Sequence, residues 1–224
     1  GEPLIVLIHG WSCDANYWRA QIEDLKRTYT VVAVNLAGHG ASGRNRSHWT
    51  IEAYGADVAA VLAALPEGKV VLVGHSMGGP VALEAARLVP DRVLGVIGVD
   101  AFHDIGATGS AASRKFADSL IARLHADYIG ATREFVTTQL FAKDADPALA
   151  RRVADDMALA PPEIAIPSLR ALFDYDYAPT LAALHVPIVD IETDLYGPNP
   201  PGSAWWDVPV SQVSALESTH FRVR

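Results

Sequence analysis

Cysteine is almost missing from this chain: Cys13 stands alone among 224 residues. One thiol closes no internal disulfide and offers no paired-cysteine metal spacing, so a disulfide scaffold and a zinc knuckle are both excluded. Cys13 reads instead as a small buried thiol. Long hydrophobic runs are missing too. Stretches such as Leu4 to Ile8 and Val70 to Val73 fall far short of the roughly 20 apolar residues of a membrane helix. Positive charge is scarce, with 18 Lys and Arg against 26 Asp and Glu and a formal net charge of −8. No basic block gives footing to a phosphate backbone or an anionic membrane, so neither nucleic acid nor membrane is an expected partner. No signal peptide is visible before the first strand-like run, which makes a soluble cytoplasmic protein the default expectation; a chain opening on Gly1 also fits a trimmed N-terminus.

What the chain has in quantity is apolar residue, 50% of the total, enough for a substantial core in a single domain. Leu4 to Ile8, Val31 to Val34 and Val70 to Val73 are short, β-branched and almost wholly apolar. Such runs suit strands buried on both faces, as in a parallel sheet. Helical stretches lie between them, over Tyr17 to Lys26 and Ile51 to Leu65, the second with Val58, Val61, Leu62 and Leu65 on one face. A fourth strand, Val93 to Val99, follows a further helix. This alternation predicts an α/β fold with a mostly parallel central sheet flanked by helices. From Ala101 to Leu184 strand character disappears, and helical patterns run over Ser113 to His125, Thr132 to Phe141, Pro147 to Ala158 and Ile166 to Phe173. It returns at Pro187 to Ile191 and, more weakly, at Val210 to Leu216. The expected organisation is a core of residues 1–100 and 185–224, with a helical cap of residues 101–184 inserted between two core strands.

The stretch VVLVGHSMGGPVALEAARL, residues 70–88, carries the chemistry. A strand runs into Gly74-x-Ser76-x-Gly78 and out into an Ala- and Leu-rich helix with no loop between. That is the context of a nucleophile elbow, a sharp strand-to-helix turn that lifts a serine out at the sheet edge. Glycines flank the serine because neighbouring backbones come too close for a Cβ. At a helix N-terminus, free N–H groups and the helix dipole favour developing negative charge.

Together, LIVLIHGWSCDANYW, VVAVNLAGHGASG and VVLVGHSMGGPVAL resemble three successive signatures of the α/β-hydrolase fold family, in order and at its spacing. The resemblance covers residues 4–100 strongly and 186–221 more weakly. It implies that the backbone N–H groups of Trp11 and Met77 form an oxyanion hole, worth on the order of 3 kcal/mol per donor in such sites. It implies His220 as the general base, in Glu217-Ser218-Thr219-His220-Phe221, where Ser218 and Thr219 replace the small glycine-like residues usual in the family. The acid has two positions. Asp100, eight residues after Arg92, matches a subgroup that carries its acid after the fourth strand seen here; Asp194, in Glu192-Thr193-Asp194-Leu195-Tyr196, stands near the commoner place but without its usual glycine. Asp100 is preferred and Asp194 is the alternative.

The remaining histidines read as supporting residues: His9 under the oxyanion loop, His39 in a structural turn, His75 at the substrate rim, and His48, His125 and His185 on the surface or cap. His75, Phe102, Trp205 and Trp206 are candidate pocket residues. His103, Phe141, Phe173, Tyr175 and Tyr177 could join them, although aromatics at such spacing are more often core. The resemblance thus implies a serine hydrolase of carboxylesterase type, acting on a small to medium ester through an acyl-enzyme on Ser76, with no metal and no organic cofactor. Ser76 stands where dehalogenases and epoxide hydrolases carry an aspartate, which speaks against both. Two alternatives stay open. The same triad can serve a lactone, a C–C bond, a peroxyacid or a cyanohydrin, and a chain with an imperfect acid can be a low-turnover ligand receptor.

Overall fold

A computed structural model describes residues 2–102 and 110–191. Five strands, β1 (Leu4–Ile8), β2 (Val31–Val34), β3 (Val70–His75), β4 (Val93–Val99) and β5 (Ile188–Ile191), form one sheet in the order β2-β1-β3-β4-β5. Every neighbouring pair is parallel. β1 is buried along its whole length, as its unbroken LIVLI requires. The chain leaves β1 outward to β2 and then returns to the other side of β1 as β3. That reversal opens a crevice at the carboxyl ends of β1 and β3, where open α/β sheets bind their ligands.

Helices cover both faces. A 3-10 turn (Ala15–Trp18) and α1 (Arg19–Leu25) lie on one, where Trp18 and Ile22 pack against Ile5, Leu7, Val71 and Val73. On the other lie α2 (Ile51–Ala64) and α3 (Gly78–Leu88), over Leu4, Val6, Ile8, Val70 and Leu72. Alternate residues of β3 thus enter different cores, as the period of a strand dictates. Thr50 caps α2 by accepting from the Ala53 N–H at 3.2 Å.

Between β4 and β5 run α4 (Ala111–Ala126), α5 (Tyr128–Gln139), α6 (Pro147–Met157), α7 (Pro162–Asp174) and α8 (Tyr177–Ala183). α5 begins earlier than its apolar periodicity indicates, because Asp127 caps it by accepting from the Gly130 N–H at 3.0 Å. α7 also starts early, with Pro162 at a first-turn position that needs no N–H. The expected strand at 210–216 lies outside the described residues.

α8, which no periodicity announced, is held by the helix that follows β3. Glu84 of α3 is only 3% exposed, and its Oε1 accepts from the Tyr175 hydroxyl at 2.7 Å and from the Thr180 hydroxyl. Its Oε2 accepts from Arg87 Nε and Nη2 at 3.0 and 2.7 Å. Burial alone would raise this carboxyl's pKa, but the donors from Thr180, Tyr175 and Arg87 outweigh it and hold the group below its ordinary range. Glu84→Ala is expected to cost about 3 kcal/mol in urea denaturation, since two buried hydroxyls lose their acceptor. Glu84→Gln, which keeps an acceptor, should cost less.

Candidate active site

β1 ends in His9-Gly10. The His9 ring is fully buried, and its Nε2 accepts from the Leu36 N–H at 3.0 Å. The proton therefore sits on Nδ1, which donates to the Gly10 carbonyl at 2.8 Å. One neutral imidazole thus ties the loop after β1 to the loop after β2. Because a trans peptide sets its N–H opposite its C=O, holding the Gly10 carbonyl also aims the Trp11 N–H.

Burial lowers the His9 pKa to about 4, with the Gly10 bond opposing and His39 contributing in the same sense. Unfolded histidine titrates near 6.5, so the stability from neutral His9 is complete above that pH and is lost as the pH falls toward about 4. Between pH 7 and 4.5 the loss from this group is about 2 kcal/mol. His39 and His75, also lowered by burial, add to it in the same direction. Urea unfolding at the two pH values checks this: His9→Gln, weaker at pH 7, should lose about 2 kcal/mol less over the interval.

β3 ends in the tight turn. An added Cβ on Gly74 would lie 2.2 Å from the Gly78 carbonyl oxygen, and one on Gly78 would lie 2.4 Å from that of Ile8. Both flanking positions are thereby restricted to glycine. Ser76 has φ +50, donates its N–H to Val99 O at 3.0 Å, and accepts from the Gly79 N–H at 2.8 Å. Gly10 packs directly on it, since a Cβ there would stand 3.0 Å from Ser76 Cβ and 2.9 Å from His75 Nδ1. Among the described residues, neither the Trp11 nor the Met77 N–H donates a hydrogen bond.

β4, hydrogen-bonded to β3, ends in Asp100, which also has φ +50 and donates its N–H to Ile191 O at 2.8 Å. Its negative charge reaches His75, where it opposes the lowering of the imidazole pKa by burial. Ser12, with φ +54, completes the set of described non-glycine residues in the left-handed region. All three lie in loops at the carboxyl edge, after β1, β3 and β4. Strain of this kind persists only where the surroundings over-determine it, and it gathers at functional sites.

The structure therefore brings Ser76, Met77, Trp11, His75 and Asp100 to one edge of the sheet. Phe102 is fully buried, its ring against Gly79 and Gly98. His220, Asp194, Trp205, Trp206 and His103 lie outside the described residues. Cys13 is buried, and burial pushes its thiol up to about 12, so it stays protonated. A polar cavity of about 240 Å³ lies beside the loop after β1, walled by Ser12, Tyr17, His39 and Arg44 and by Asp156 of the helical insertion. No sequence signal marks it, because its wall joins three distant segments and Ser12 is neither Gly nor Asn. Among the described residues, no cluster of His, Cys, Asp and Glu is able to hold a metal ion, and no helix is long and apolar enough to cross a membrane.

A strained serine in a strand-to-helix turn stands on a parallel sheet whose order reverses at β1. The alpha/beta hydrolase fold family matches residues 3–177, and the chain belongs to that family. It is 32% identical, over 158 residues, to the dihydrolipoyllysine-residue acetyltransferase component of an acetoin cleaving system from Pseudomonas putida; the match covers 70% of this chain and 40% of that protein. Among solved structures, a hydrolase from Oleispira antarctica superposes with a TM-score of 0.81 at 22% identity, covering 100% of this chain and 83% of that one. An esterase from Exiguobacterium antarcticum gives 0.80 at 20% identity, covering 100% and 84%. The two structures share the fold. The chain spans well under half the length of the curated relatives it matches.

Proposed function

We propose that the protein is a serine hydrolase of carboxylesterase type. The observation that carries this reading is Ser76 itself, held at φ +50 between two obligatory glycines with Gly10 packed against it. In the mechanism, Ser76 Oγ attacks the ester carbonyl carbon while His220 takes the hydroxyl proton. The Trp11 and Met77 N–H groups hold the resulting oxyanion. His220 then returns the proton to the departing alcohol, and a water that it activates hydrolyses the acyl-enzyme. Asp100 is favoured as the carboxylate that orients His220, because it ends the strand next to β3 and its charge is felt at the elbow. Asp194 is the alternative. Residues 101–184 act as a cap over a core of 1–100 and 185–224, and His75, Trp205 and Trp206 border the substrate. No cofactor is required.

The test is steady-state hydrolysis of p-nitrophenyl esters from acetate to decanoate, with organophosphonate labelling located by peptide mapping. Turnover with labelling at Ser76 is the expected result, and the chain-length profile sizes the pocket. Asp100→Asn should lower kcat by about 10⁴, whereas Asp194→Asn should leave it within a few-fold. The reverse pattern would move the acid to Asp194. Folded protein that labels at Ser76 yet leaves every ester intact would overturn the esterase reading in favour of a lactone, C–C, peroxyacid or cyanohydrin substrate. Absence of both labelling and turnover would favour a ligand receptor.

A further inference from the structure

The Trp11 side chain reaches into the helical insertion. Its indole N–H donates to the Ala165 carbonyl of α7 at 2.7 Å, and both residues are buried. Its ring meets Phe135 of α5 edge-on, with centroids 6.1 Å apart. α7 makes a second contact with this edge at Gly38, where a Cβ would stand 2.8 Å from Ile164. Trp11 is thus clamped on both sides: Gly10 presses on Ser76 and is held by His9, while the indole is held by a helix that enters the fold more than a hundred residues later.

We propose that α7 is the positioning element of the Trp11 N–H, so that seating of the helical insertion on the core is a condition for a formed oxyanion site. The inference rests on the reading of that N–H as an oxyanion donor. A buried indole N–H without its acceptor is costly, so displacement of α7 leaves Trp11 either to follow it or to repack. In both cases the backbone between Gly10 and Ser12 changes course, and Ser12 is already strained at φ +54. A chain with α7 unseated therefore keeps an intact Ser76 but lacks one of two aligned donors. Seating of α7 on the core and alignment of the Trp11 donor thereby become one event.

The experiment compares Trp11→Phe, which keeps an aromatic ring and removes the indole donor, with Leu169→Ala. Leu169 belongs to α7, is 2% exposed and does not contact Trp11 in any hydrogen bond or ring pair described above. Leu159→Ala, at an 81% exposed position between α6 and α7, is the neutral control. Amide hydrogen exchange over residues 9–13 and 162–174 is read in the unliganded protein, alongside kcat and KM for p-nitrophenyl acetate. Expected are faster exchange in both segments for Trp11→Phe and for Leu169→Ala, with kcat about tenfold lower and KM within twofold. Leu159→Ala should match the parent. A rise in KM alone for Trp11→Phe would make Trp11 a pocket wall and overturn the proposal. So would exchange in 9–13 that does not respond to Leu169→Ala. If the parent turns over no ester, the esterase reading has failed, and the exchange data alone still decide whether α7 governs the loop.

Discussion

Ser76→Gly is expected to stop ester turnover while leaving the fold at least as stable as the parent. A side chain at φ +50 costs roughly 1–2 kcal/mol, and glycine removes that cost. Glycine also adds about 0.5–1 kcal/mol of conformational entropy to the unfolded chain, so the net gain is about 0.5 kcal/mol. In thermal unfolding of a chain of this size, that is a rise of roughly 1–2 °C in Tm. On the proposed mechanism, loss of the attacking oxygen lowers kcat by about 10⁴ or more, with the residual rate supplied by the proposed oxyanion donors. Retained turnover would remove Ser76 from the reaction. A Tm several degrees lower would mean that the hydroxyl is part of the packing rather than a group held under strain for reaction.

Gly78→Ala should be among the most damaging single-methyl changes available to this chain. The new Cβ meets the carbonyl oxygens of Ile8 and His9 at 2.4 and 2.8 Å. Both belong to main chain at the buried end of β1, which cannot swing aside as a flexible side chain does. α3 must lift away from the sheet, taking Met77 and Ser76 with it. The expected loss exceeds about 3 kcal/mol, and it overwhelms the roughly 0.8 kcal/mol that alanine gains over glycine inside a helix. Gly43→Ala is the matched comparison, because no heavy atom lies within 4 Å of its added Cβ, and it should fall within about 0.5 kcal/mol of the parent. Urea denaturation of the two variants, read beside soluble yield, tests the contrast. Equal stabilities would mean that α3 does not need this approach to β1.

The parts of this fold that were legible beforehand are those whose cause is local. β1 and β2 fall where short, largely β-branched apolar runs place them, and the turn at Ser76 is announced by Gly74 and Gly78, the first of which is crowded by backbone only four residues on. α8 was not legible. Its seven residues have no apolar period of their own, and it is fixed by an Asp176 cap and by Thr180 reaching Glu84, ninety-six positions away. The link from Trp11 to Ala165 was hidden for the same reason, since its acceptor is a backbone carbonyl, which no sequence pattern distinguishes. Trp11 could be assigned a main-chain role from the motif around it, but the use of its indole could not. For Asp100, the position was readable from the end of a strand, whereas its left-handed backbone was not, because aspartate carries no signal as strong as glycine's.

The pairing of β4 with β5 has an architectural consequence. Val96 to Val99 lie beside Ile188 to Ile191 in unbroken parallel register, although the whole helical insertion is threaded between them. The sheet closes over that excursion as it would over a short crossover, and lengthening such a loop costs only the logarithm of its size. Ser76, Asp100 and the Gly10 loop all hang from strands bonded directly to one another, so an insertion of different length and lining leaves the strands that carry the serine in register, provided its contacts to Trp11 and Glu84 are kept. What a graft must supply anew is a carbonyl where Ala165 now stands and hydroxyl donors for buried Glu84 where Tyr175 and Thr180 now stand. Replacement of the insertion is therefore an exercise in matching these few polar contacts, and chimeras that differ only in the acceptor for Trp11 would test the proposed part of α7 apart from that of Ser76.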